Sequence, residues 1–427
     1  MKKRILCLVM VAALVIGITP TLTAVAEEKA SPSYKEVLTD TMKQLAETVT
    51  EPKFGTSGGE WTVLSLARGG YFELGDKYFE DYYQRVATKV KELETAALEK
   101  GLKAGALDKN KSTENSRVIL ALTAINKDPS DVGGVNLVGA FDENGFDWIK
   151  KQGINGPIFA LLALDTKNFE TKDATLRQQC IDFILSKELE GGGWALSGKA
   201  ADPDITSMAL QALAKYKTDE KVLAAANRAI AALSNMQQTT GGFASWGSVN
   251  SESIAQVITA LSAWGVDTGS DTRFVKEGNS AIDALLAFYK DADKGFSHTP
   301  TGAVNAMATD QACYALVAYD RLKEGKTALY DMTDVGVKPP EETEESTEAE
   351  SESETQGEPE SQSEQEKQSM SEQQSETFAN SETEAMPSNG TETSDTSSII
   401  PSLIIFVLAG LALTTTLIIS NRRREER

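Results

Sequence analysis

The chain has 427 residues, with 42 Lys/Arg against 63 Asp/Glu and a net charge of −21. Residues 341–398 hold 18 of the acidic residues against Lys367 alone, and no basic run supplies the electrostatic footprint that nucleic acid requires, so nucleic-acid partners are excluded. The single His298 and three cysteines exclude a four-ligand Cys/His zinc site and confine any Ser-His-Asp or Cys-His mechanism to one imidazole.

Lys2, Lys3 and Arg4 precede the apolar run Ile5 to Ile18, and Ala24-Val25-Ala26 is a small-residue cleavage site, so 1–26 reads as a secretory signal peptide. Cys7 lies in that leader, too close to the charged start for lipidation. The body is expected over 27–337, where 41% overall hydrophobicity permits a sizeable core. Cys180 and Cys313 fall in helical contexts and read as small core residues, with one bridge between them left open.

A phrase near A-L-x-A-L recurs through the body: a weak copy at 63–67, then 121–125, 160–164, 209–213, 257–261 and 315–319. Six copies at a period of roughly 40–60 residues mean six supersecondary units. Each copy has the small and apolar residues of a helix buried nearly all round. A one-sided helix rich in Lys, Glu and Asp is expected before each, at 34–49, 76–100, 142–151, 174–188, 219–237 and 274–290. No stretch alternates with period two, so the body is expected to be all-α, built as six hairpins of outer helix, turn and inner helix.

The turns carry glycine and an aromatic: Gly58-Gly59-Glu60-Trp61, Gly191-Gly192-Gly193-Trp194, Gly241-Gly242-Phe243 and Gly295-Phe296. Glycine permits the positive φ of such a turn, and the aromatic plugs the junction between hairpins. Gln237-x-x-x-Gly241-x-Phe243 and Glu188-x-x-x-Gly192-x-Trp194 share one spacing. On these residues, over roughly 33–330, the body resembles the QW repeats of the prenyltransferase/squalene-cyclase superfamily, which implies a closed α/α toroid. Glu188, Phe243 and Phe296 depart from the Gln and Trp of the cyclase branch.

The resemblance implies several chemistries. Cyclases protonate an alkene from an Asp-x-Asp-Asp motif; Asp202-Pro203-Asp204-Ile205 lacks the last Asp, and Asp204 reads instead as a helix cap. Prenyltransferases hold zinc through an Asp/Cys pair and a later His. Here His298 precedes Asp310 and Cys313, so zinc is not expected, and neither is any other cofactor. The thioester phrase of complement-like toroids is absent at Gly58-Gly59-Glu60-Trp61. Inverting glycoside hydrolases also use α/α toroids. Asp204 and Glu252 begin neighbouring inner helices about 8–10 Å apart, compatible with the about 6.5–9.5 Å such carboxylates need. The favoured reading is a non-catalytic module, similar to single-toroid transcobalamin-type carriers. It would bind a small apolar or corrinoid-like ligand, or a surface protein, where the inner-helix N-termini converge. Trp61, Trp194, Asp204, Trp246, Glu252, His298 and Asp310 are its candidate rim residues. An isoprenoid-acting enzyme is the alternative.

Residues 338–398, rich in Ser, Glu, Gln and Thr, have the composition of a disordered, extended acidic stalk. Residues 399–419 carry no charge and are long enough to span a membrane of about 30 Å. Arg422, Arg423, Arg424 and Arg427 then place the 420–427 tail inside and the body outside, as in a single-pass bacterial surface protein. Protease treatment of intact cells should release the body by cutting within 338–398. A body that survives shaving yet is digested after lysis would reverse this topology.

Overall fold

The computed structural model describes residues 32–336. The leader 1–26, the tract 338–398, the apolar segment 399–419 and the tail 420–427 lie outside the described residues. Within 32–336 the fold is mostly helical, with a few two-residue strands. Outer helices are α1 (Tyr34–Thr48), α3 (Gly75–Glu99), α5 (Gly139–Ile149), α7 (Leu176–Ser186), α9 (Glu220–Met236) and α11 (Ala281–Leu286). They alternate with inner helices α2 (Trp61–Arg68), α4 (Thr113–Ala124), α6 (Asn155–Asp165), α8 (Pro203–Leu213), α10 (Ser251–Ala263) and α12 (Ala306–Lys323). Among the described residues no helix is long and apolar enough to cross a membrane.

The A-L-x-A-L phrases fall on the inner helices, and burial explains their composition. In α6 every residue from Ala160 to Leu164 is buried, and in α10 every residue from Val257 to Ser262. Alanines at these positions let helices approach closely on both flanks, while Leu and Ile fill the spaces between them. The outer helices are one-sided by contrast. In α9, Val222, Ala225, Ala226, Ala229, Ile230 and Leu233 face the core at three- and four-residue spacing. Each inner helix packs on the next, α2–α4–α6–α8–α10–α12, and α12 also packs on α1 and α2. Tyr34 of α1 meets Tyr319 of α12 edge to face at 4.9 Å.

The last three inner helices start in the same way. Trp194, Phe243 and Phe296 are wholly buried, as junction plugs should be. The carbonyls of Trp194 and Phe296 accept from the N–H of Asp202 and Asn305, at 2.9 and 2.8 Å. Asp202, Asn250 and Asn305 are the N-caps, each accepting first-turn N–H groups of its helix. The sequence assigns the α8 cap to Asp204, but Asp202 fills it, because Pro203 already occupies the first helical position.

Two further expectations change. The outer helix anticipated at 274–290 shrinks to Ala281–Leu286, flanked by ribbons β3–β4 (Val275–Lys276, Asn279–Ser280) and β5–β6 (Tyr289–Lys290, Gly295–Phe296). Gly278 takes φ +84°, and Ser280 and Asp283 form a capping box that starts the helix late. A third ribbon, β1–β2 (Ala244–Ser245, Ser248–Val249), precedes α10. Two-residue strands are too short to alternate, so periodicity cannot reveal them. Cys180 and Cys313 are free, buried thiols, and burial pushes the Cys180 thiol up to about 12.

Gly241 turns at φ +80°, and a Cβ there would sit 2.3 Å from the Ser280 carbonyl oxygen. Gly192 occupies the same place one repeat earlier, at φ +83°, against Arg228 backbone. Gly241→Ala should therefore cost about 1–3 kcal/mol in denaturant melts. The same change at Gly247, also at positive φ but in open space, should cost less. Equal losses would mean that the contact with Ser280 is unimportant.

Candidate functional site

At their N-terminal ends the inner helices turn polar and aromatic residues toward one another. Trp61 of α2 lies 6.4 Å from Phe159 of α6 and 6.0 Å from Tyr314 of α12, ring centre to ring centre. A chain of amides continues the lining. Gln211 Nε2 donates to Gln256 Oε1 at 3.0 Å, and Gln256 Nε2 to the Tyr314 hydroxyl at 2.6 Å. That hydroxyl donates to Gln311 Oε1 at 3.1 Å. One turn nearer the helix start lie Glu252 and Met307, four residues before Gln256 and Gln311, and Asp204 lies two turns before Gln211, all at spacings that keep residues on one face. Along these stripes the first two positions, such as Asp204 and Met208 or Glu252 and Gln256, stay partly exposed, and the third, Gln211 or Thr259, is buried. The stripes thus define a depression that is partly exposed at the helix N-termini and buried further along.

The named rim residues divide between this depression and the core. Trp61 lines it. Glu252 and His298 meet at its edge, Nδ1 to Oε2 at 2.8 Å, with the Ser251 hydroxyl also donating to Glu252 at 3.1 Å. Trp246 is 83% exposed at the tip of the β1–β2 ribbon, in a left-handed conformation (φ +52°) uncommon for a bulky residue. The preceding Ser245 hydroxyl donates to Asp202 Oδ2 at 2.6 Å, tying that ribbon to the start of α8. Trp194 is not a rim residue: it is wholly buried, and its indole N–H donates to the Ile184 carbonyl at 2.7 Å. Asp310 is buried too. Its oxygens accept from the Thr62 hydroxyl at 2.5 Å and the Gly58 N–H at 3.2 Å. His298, Asp310 and Cys313 do not converge, and no group of three His, Cys, Asp or Glu among the described residues could hold a metal ion.

Asp204 and Glu60, like the buried Asp310, are perturbed in ways the sequence does not announce. Asp204, whose Oδ1 is buried without a hydrogen bond, is raised to about 6. Burial is the main cause, the Asp202 and Glu252 charges add to it, and the Ser253 and Ser245 hydroxyls oppose it. Glu60 is wholly buried and rises to about 7, again through burial, although Arg117 Nε donates to it at 2.9 Å and Gly55 N–H at 2.9 Å. Arg117 also donates to Glu114 at 2.8 Å, so the guanidinium near the mouth is already matched.

A cavity of about 410 Å³ lies at the other end, among the C-termini of α6, α8 and α10, lined by Leu162, Gln211, Thr259 and Tyr330. A strap, residues 327–336, runs beside it. Arg68 donates to the carbonyls of Leu329 (3.0 Å), Ala328 (3.1 Å) and Asp331 (2.8 Å), and Arg321 to that of Thr327 (2.8 Å). Both arginines bond Asp334, at 2.7 and 2.5 Å. Met332 N–H reaches the Thr166 carbonyl past the end of α6.

No protein-family model matches this sequence, and no curated protein does so.

A carboxyl group raised to about 6 when folded, against about 4 unfolded, favours folding below about 4 and progressively opposes it as pH rises to about 6. Asp204→Asn should therefore melt higher than the parent at pH 8 and at the parent temperature at pH 4, the difference growing between about 4 and 6. A difference that does not vary with pH would disprove this account of Asp204.

Proposed function

We propose that the body is a closed, single α/α toroid, distantly related to the prenyltransferase/squalene-cyclase superfamily. In this reading it serves as a non-catalytic ligand-binding module held outside the membrane by residues 399–419. The succession of six inner helices, with the last against the first, supports closure. The repeated glycine–aromatic turns at Gly192–Trp194 and Gly241–Phe243 support the relationship. One observation carries the binding role: the partly exposed lining of Trp61, Phe159, Gln256 and Gln311 at the inner-helix N-termini. Residues buried elsewhere by hairpin packing are here polar or aromatic and open to solvent. Concave sites with aromatic walls and a few convergent polar groups are the usual ligand sites of proteins.

Isoprenoid-diphosphate chemistry fits this mouth less well. Asp204 and Glu252 stand where helix dipoles would otherwise favour an anion, and the nearby Arg117 is paired with Glu60 and Glu114. A glycosidase reading has one specific support: Asp204, raised to about 6, is suited to general-acid work beside Glu252. It predicts hydrolysis of a sugar chain that Asp204→Asn abolishes.

Native mass spectrometry of small molecules co-purifying with the full chain tests the module directly. Trp246→Ala should keep the melting temperature within a few degrees, since that side chain is exposed and alanine meets the same backbone strain. It should weaken binding of the co-purifying molecule by about 1–3 kcal/mol in calorimetry. Unchanged affinity would move the site away from this rim, and collapse of the fold would make Trp246 a packing residue.

A further inference from the structure

The lining of the depression says more about a ligand than that it is small. Its partly exposed walls combine the aromatic faces of Trp61 and Phe159 with the primary amides of Gln256 and Gln311, which both donate and accept hydrogen bonds. An apolar guest would strand those amides, because burying amide groups without partners costs free energy. A cation would engage only acceptors and aromatic faces, leaving the donors idle. An anion meets a rim where Asp204 and Glu252 stand and Arg117 is occupied. The remaining class presents apolar C–H faces on one side and a ring of hydroxyls on its edges. We propose that the depression binds an uncharged oligosaccharide, with one sugar stacked on the partly exposed Trp61 and Phe159 and its hydroxyls bonded by Gln256 and Gln311. This inference rests on the binding-module reading and narrows it.

Three features support the assignment. The network engages Gln311 only through its amide oxygen, so the amide N–H pair is available to a sugar hydroxyl. Gln256 is held by both Gln211 and Tyr314, which fixes its plane in advance and lowers the ordering cost of binding. Trp246, exposed beside the α8 start and held there through Ser245 and Asp202, offers a second flat surface at the lip. Two aromatic platforms, one inside and one outside, suit a chain of sugars better than a single ring.

The test is isothermal titration of the full-length chain with cellotetraose, chitotetraose and maltotetraose, with choline and a medium-chain alcohol as the competing chemistries. At least one tetrasaccharide should bind. Tyr314→Phe and Gln311→Ala should each weaken that binding about tenfold, the scale of one or two hydrogen bonds, while melting curves verify folding. Trp246→Ala, at an exposed position, supplies the same reading if either interior variant misfolds. Saccharide binding that all three variants leave intact would overturn the location. Binding of choline or the alcohol, lost in Trp246→Ala, with no saccharide heat, would overturn the sugar class while keeping a ligand module at this mouth. No binding by any probe would overturn both.

Discussion

The buried carboxylate of Asp310 holds the first and last repeats in one register. It sits in α12, yet both of its bonds go to the first inner turn, to the Thr62 hydroxyl and the Gly58 N–H. Burial raises it to about 6, and those two donors are what oppose the rise. Helix starts need partners for their free N–H groups, and α8, α10 and α12 find them in their own turns. The Gly58 turn instead takes a partner from the far end of the sequence. Besides helix packing, two hydrogen bonds that neither repeat could make alone hold α2 against α12.

The same requirement shapes the candidate site. An inner helix is covered on both flanks by neighbouring inner helices and behind by its outer helix, which leaves one narrow stripe facing inward. Near the helix start that stripe is not needed for packing, so it can hold Asp204, Glu252 or Gln311 without loss of core. Further along, the stripe returns to Gln211 and Thr259, both buried. Chemistry is thus concentrated at one end of the helices, and the end-to-end order of the hairpins fixes which side chains meet there.

Much of this was legible in the residues. Alanine-rich phrases marked the inner helices, and the glycine–aromatic pairs marked junctions that are wholly buried at Trp194, Phe243 and Phe296. Local signals worked where the determining contacts are local. They misplaced the α8 cap by two residues, because Asp202 and Asp204 are equally good cap formers until Pro203 is taken into account. They overextended the sixth outer helix, where the turn around Gly278 outweighs helix propensity on either side. Phe159, Gln256, Gln311 and Tyr314 went unremarked, since their roles depend on which helices face one another. One clue was present: Gln211 fills the middle of Ala209-Leu210-x-Ala212-Leu213, and a glutamine in so apolar a phrase needs a polar partner. Glu60 gave a comparable hint, and its partner Arg117 lies in the next repeat.

The strap fixes how force enters the molecule. Gly336, at the end of the strap, packs near Asn126 past the end of α4, at the pole away from the depression. Under the proposed anchoring by residues 399–419, a pull on the strap would reach the body through Arg68 and Arg321, one on the first inner helix and one on the last. Their guanidinium groups grip several strap carbonyls and the Asp334 carboxylate at once, so the load is shared among parallel bonds instead of peeling them singly. The two helices that share the Asp310 contact would then also carry that pull, and the mouth at the opposite pole would stay unloaded.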